Sequence, residues 1–180
     1  STAAMLMAGA SAAVGTNESN EKYCKTFKRY RPASRGDADP GQLEQVCRPG
    51  YAIQHNAKTK NPDWVIEILL EEDLKGTPDQ KAKRKNNFKR EPAISEDKAQ
   101  KWTRRARLCH YRFSGFARGH QSPAADYKFN QKRMNDSFYL SNMSPQVGPG
   151  FNSGIWARLE ERVRDLVVTR KKLVVFTGPI

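Results

Sequence analysis

The chain has 180 residues and a formal net charge of +13, from 32 Lys/Arg against 19 Asp/Glu. That length suits one domain of ordinary size, or one domain with tails. The composition excludes a collagen, a coiled coil and a polytopic membrane protein. The excess positive charge implies a polyanionic partner, either nucleic acid or an anionic membrane surface, with a merely basic soluble protein as the bland alternative.

Residues 1–20 open with an Ala/Gly-dominated apolar stretch, too short to cross a bilayer as a helix. It reads as the end of a signal peptide or anchor, a terminal helix packed on a partner, or a tail, so membrane attachment through this end is open. Residues 21–48 read as a basic, loop-rich extension with Gly36, Pro40 and Gly41. Cys24 and Cys47 could bridge this stretch, and Cys109 is then left over. No C-x-x-C pair is present, which argues against a zinc knuckle.

Regular structure is expected from Tyr51 onward. Pro62–Leu70 is a β-branched apolar run that predicts a strand. Residues 79–133 then carry 16 Lys/Arg against five acidic residues, a net of +11. Within them Lys81–Arg90 lacks apolar periodicity and reads as an exposed basic loop. Phe138–Met143 predicts a short apolar strand, and Gly148-Pro149-Gly150 breaks the chain. Asn152 is expected at the cap or first turn of a helix running to about Thr169. Ile155, Leu159, Val163, Leu166 and Val167 predict its apolar seam. Leu173–Ile180 predicts a buried strand.

The site candidate is Arg118-Gly119-His120, followed by Pro123, Ala124 and Asp126. Met134–Gln146, Phe151–Glu160 and Thr177-Gly178-Pro179 follow in order, and Tyr51 and Pro62–Glu67 precede it. Over about residues 50–180 these blocks resemble the DNA/RNA non-specific endonucleases, most closely the endonuclease G-like branch. The resemblance implies an α+β architecture, the ββα-metal nuclease fold with a central antiparallel sheet. Residues 49–180 would be the nuclease domain. Relatives continue past the Gly-Pro strand end, so the domain is expected to lack its C-terminal part here, as a fragment or as a fold completed by a second chain. A homodimer is a further possibility.

The expected reaction is metal-dependent hydrolysis of DNA and RNA phosphodiesters. His120 is the natural base, because neutral imidazole is available near pH 7. His55 and His110 lack such a context and read as surface or packing residues. Asn152, Trp156, Glu160 and Arg164 recur every four residues and form one stripe on a helix. By resemblance Asn152 supplies the direct protein ligand to Mg²⁺ (or Mn²⁺), and Glu160 holds the ion's waters. Arg118 and Arg164 would grip phosphate, with Arg84 as a further phosphate contact and Lys83, Lys85 and Arg90 as its rivals. The bland alternative for Glu160 and Arg164 is a surface i,i+4 ion pair. Ala117 stands where the family signature has Asp, a residue expected to brace the motif. That departure motivates a second reading, an inactive nuclease-like subunit of a larger assembly. A plain nucleic-acid-binding protein is a weaker third. The resemblance implies a mitochondrial location, with secreted or periplasmic as the alternative.

Overall fold

The computed structural model describes residues 18–30, 40–100, 111 and 114–179. His110, Cys109, the first 17 residues and part of the basic stretch lie outside the described residues. Helix α1 (Glu18–Phe27) and strand β1 (Leu43–Cys47) come first. Both fall in the region read above as tail and loop-rich extension. Strands β2 (Tyr51–Asn56) and β3 (Asn61–Leu70) follow, and β6 (Lys172–Thr177) returns at the end of the chain. These four form an antiparallel sheet in the order β1-β2-β3-β6.

Strand alternation gives the sheet two apolar faces, because successive side chains point to opposite sides. Ala52, Ile66 and Cys47 face α1, where Phe27, Tyr23 and Trp64 cover them. A disulfide between Cys24 and Cys47 ties the helix to β1 on this face. Tyr51, Ile53 and Val65 face the other way, into a core with Tyr127, Met134 and Phe138. The stretch 43–47 was legible as a strand only through these partners; its sequence, Leu-Glu-Gln-Val-Cys, has little apolar pattern of its own.

Above the second face lies a two-stranded antiparallel unit, β4 (Phe116–His120) with β5 (Met143–Val147). The apolar run Phe138–Met143 is therefore not itself the strand. Residues Leu140–Asn142 form a tight turn, and the strand begins at Met143. A short helix α2 (Gln131–Asp136) precedes this turn, capped by the Asn130 side chain, which accepts from the Arg133 N–H at 3.0 Å.

From β5 the chain passes through an irregular wide turn, Gly148–Trp156, before helix α3 (Ala157–Arg170). Gly150 has φ 81° there, a conformation that favours glycine. The backbone is helical again from Phe151, so Asn152 falls in the first turn leading into α3, as the sequence predicts. Lys171, in the left-handed region, ends the helix by donating its N–H to the Val167 carbonyl.

The predicted apolar seam of α3 holds at Val163 and Val167 and fails at Ile155, Leu159 and Leu166. Ile155, Leu159 and Leu166 are 62%, 50% and 47% exposed, and Val167 is buried. The inward face is instead Trp156, Glu160, Val163, Arg164 and Val167. The physical reason is a buried carboxylate beneath the helix, described below, which draws the charged stripe inward. Strand β6 was expected to be buried. It is a half-exposed edge strand, with Phe176 at 50%.

Candidate active site

The β4–β5 register assembles the site. Directly paired residues of an antiparallel ladder point to the same face. Arg118 pairs with Pro145 and His120 with Met143, so Arg118 and His120 share one face. Ala117 and Gly119 point to the opposite one. Ala117 pairs with Gln146, and a Cβ on Gly119 would overlap the Gln146 side chain. Only glycine admits this close approach. A carboxylate at position 117 would lie behind the strand, away from His120. The departure from the signature therefore leaves the histidine face unchanged.

The His120 ring is framed by two phenylalanines. Its centroid lies 5.0 Å from Phe138, edge-on, and 5.9 Å from Phe88. The Arg118 guanidinium stacks 3.9 Å above Phe88, and Arg84 lies 5.5 Å above Phe138. The basic loop carrying Arg84 and Phe88 reaches this place through backbone bonds. The Lys89 N–H donates to the Phe138 carbonyl at 3.2 Å, and the Leu140 N–H donates to the Lys89 carbonyl at 2.9 Å.

Burial, then the cations Arg84 and Arg118, lower the His120 pKa to about 3. The imidazole is thus neutral across the physiological range. Its Nε2 atom is buried without a hydrogen-bond partner. Glu160 behaves oppositely: burial and the nearby charge of Asp126 raise its pKa to about 7, against the pull of Arg164, Trp156 and Arg84. Arg84 acts on both groups, so the basic loop, β4 and α3 converge on one locus.

Arg164 is not paired with Glu160 across the helix surface. Its Nη1 donates to Asp126 Oδ1 at 2.8 Å, and Asp126 is 2% exposed. Beneath lies Glu67, 3% exposed, which accepts from Ser122 Oγ at 2.8 Å and Tyr127 OH at 3.1 Å. Burial and the charge of Asp126 hold Glu67 well above the usual carboxylate range. Asn142, wholly buried, locks the turn after His120. Its Oδ1 accepts from the Ser122 N–H, and its Nδ2 donates to the Ser122 and Ser137 carbonyls, each at 2.9 Å.

Sequence reasoning missed Phe88, Phe138, Asn142, Glu67 and the pairing role of Asp126. One signal was available: Glu67 is a lone charge inside the apolar run Trp64–Leu70, and a buried charge needs partners. His55 is a packing residue, wholly buried, with Nε2 3.0 Å from the Lys98 carbonyl oxygen.

The donor set suits a hydrated hard cation rather than a closed cage. Among the described residues no cluster of three or more His, Cys, Asp or Glu could hold a metal. The side chain of Asn152 makes no hydrogen bond with another described residue, and Glu160 stands two turns further along. One neutral oxygen with a nearby carboxylate fits Mg²⁺ or Mn²⁺, which retain most of their waters.

These features agree with what the chain is similar to. The profile of the DNA/RNA non-specific endonucleases matches residues 33–180, and the chain belongs to that family. It is 45% identical over 142 residues to the mitochondrial nuclease of Saccharomyces cerevisiae, covering 78% of this chain and 41% of that protein. It is 37% identical over 141 residues to human mitochondrial endonuclease G, covering 78% of this chain and 44% of that one. A crystal structure of the EndoG/EndoGI complex superposes with a TM-score of 0.67 at 34% identity, over 79% of this chain and 55% of that chain. The fold is thus the ββα-metal nuclease fold, and the chain spans less than half the length of both curated relatives named.

Proposed function

We propose that this chain carries the catalytic core of a metal-dependent, sugar-non-specific endonuclease that hydrolyses DNA and RNA. The observation that carries the proposal is a neutral His120 imidazole framed by Phe88 and Phe138 with Arg84 and Arg118 beside it. His120 orients a water, and its neutral imidazole takes the proton as the oxygen attacks phosphorus in line. The P–O bond to the 3′ oxygen breaks, leaving 5′-phosphate and 3′-hydroxyl ends. Arg118 and Arg84 neutralise the phosphate, where guanidinium geometry matches the oxygens. Arg164, held in place by its ion pair with Asp126, would be a further phosphate contact. Asn152, with Glu160 acting through water, would hold Mg²⁺ or Mn²⁺, which supplies charge stabilisation at the leaving oxygen when bound.

The contacts available are to phosphate rather than to base edges, so little sequence preference and a steep salt dependence are expected. The named relatives are mitochondrial nucleases, which supports a mitochondrial location. No helix among the described residues is long and apolar enough to cross a membrane. Plasmid nicking with Mn²⁺, with EDTA, and with His120→Ala tests the reading. Nicking is expected only for the unaltered chain with metal, and equal nicking by His120→Ala sinks it.

A further inference from the structure

Arg84 stands on an exposed stretch with neither helix nor strand, from Lys81 to Phe88. An arginine on such a loop samples many positions, and gripping a phosphate then carries the entropy of ordering the loop. The structure shows how that ordering is done beforehand. Arg90, at the end of the same stretch, is turned elsewhere: its Nη1 donates to the Ile94 carbonyl at 2.9 Å.

The first anchor is Gln131, which opens α2. Its Oε1 accepts from the Lys83 N–H at 2.8 Å, and its Nε2 donates to the Lys83 carbonyl at 3.1 Å. One side chain thus takes both backbone groups of the residue before Arg84, as a neighbouring strand would. A side-chain amide offers a donor and an acceptor side by side, whereas a carboxylate of the same shape offers acceptors alone. The same Nε2 donates to Asn135 Oδ1 at 2.9 Å, one turn along the helix, and this fixes which end of the amide meets which backbone group. The Ala82 N–H adds a bond to the Lys128 carbonyl at 2.7 Å. The second anchor lies past the arginine. Asn86 is in the left-handed region at φ 44°, where Asn is favoured among residues other than glycine. Its Oδ1 accepts from Arg84 Nε at 2.8 Å, and its carbonyl accepts from the Phe88 N–H at 3.0 Å. With Nε held, the two Nη groups form the outer fork of the guanidinium, the edge that fits a phosphate.

We propose that Gln131 is a positioning residue for phosphodiester cleavage: it clamps the Lys83 backbone so that Arg84, braced by Asn86, meets the substrate phosphate already in place. The inference rests on the nuclease reading and on Arg84 as a phosphate contact. Helix α2 also buries Met134 in the core beside Phe138, the ring beneath Arg84, so one short helix sets both the arginine and its support. In this role Gln131 acts only through Arg84, and its effect must vanish when Arg84 is removed.

The test is a double-mutant cycle of Gln131→Met, which keeps length and helix propensity and removes the clamp, with Arg84→Ala. One readout is fluorescence anisotropy with a short single strand in EDTA, where nothing is cleaved. The other is kcat/KM for cleavage with Mn²⁺. Gln131→Met is expected to weaken strand binding about threefold and to lower kcat/KM about five- to tenfold. In the Arg84→Ala background it should change either quantity by less than about 1.5-fold. Asn86→Gly keeps the left-handed turn and removes only the brace, and its loss should likewise disappear without Arg84. The urea midpoint of Gln131→Met should match that of the unaltered chain. Equal losses from Gln131→Met in both backgrounds, no loss in the unaltered chain, or full binding and activity in Arg84→Ala each overturn the proposal. A chain that binds the strand and never cleaves it with Mn²⁺ counts against the nuclease reading, and the binding arm of the cycle still decides the clamp.

Discussion

The depressed His120 pKa has a consequence for stability that can be worked through. The folded imidazole gains its proton only near pH 3, against 6.5 in the unfolded chain. Between those values the unfolded state holds more protons, so acidification removes stability. The loss attributable to this one ring is about 1.4 kcal/mol at pH 5.5 and about 2.7 kcal/mol at pH 4.5, relative to neutral pH. Glu67, Asp126 and Glu160 shift upward, so their contributions run the other way and are lost as pH rises. Total stability against pH would therefore blur the effect. The useful quantity is the difference between the unaltered chain and His120→Asn, in which the carboxylates largely cancel. Urea unfolding at pH 7.5, 5.5 and 4.5 should show Asn gaining on His by those amounts as pH falls. A difference that stays flat, or an imidazole resonance that titrates near pH 6.5 by NMR, refutes the account of a ring held neutral by Phe88, Phe138 and two arginines.

Two further outcomes follow from the packing. Arg164→Ala leaves the buried Asp126 without its ion-pair partner and should cost about 3–5 kcal/mol in urea unfolding. Adding Asp126→Asn should recover a large part of that, and simple additivity would show the pair to be uncoupled. Cys24→Ser opens a bridge spanning a sequence separation of 23 and should cost about 3 kcal/mol by loop entropy. Reductant should lower the Tm of the unaltered chain and leave the variant's unchanged; identical melting with and without reductant would argue that the bridge is not formed.

Much of strand β4 was legible because its residues are constrained locally. Gly119 must be glycine against Gln146, and His120 and Arg118 share a face by strand alternation alone. The family blocks place Asn152, Glu160 and Arg164 on one stretch. What the sequence concealed was long-range. The seam of α3 was only partly right, at Val163 and Val167, because periodicity identifies an apolar stripe but not the carboxylate that competes with it. Asp126 lies 38 residues from Arg164, and no local pattern announces their pairing. The strand β1 was hidden for a similar reason: Leu43–Cys47 acquires its identity from β2 and from the disulfide to α1. The Phe138–Met143 run illustrates a third limit. Apolar content marked it for burial, and Asn142 then turned it into a corner instead of a strand.

The segment Phe138–Asn142 joins three parts of the site. It binds the basic loop through Lys89, frames His120 through Phe138, and fixes the Ser122 turn through Asn142. The groups it gathers, Lys89, His120 and Ser122, meet only once all three have docked on this segment. The proposed nuclease geometry thus depends on contacts made across the chain rather than on any local stretch of sequence.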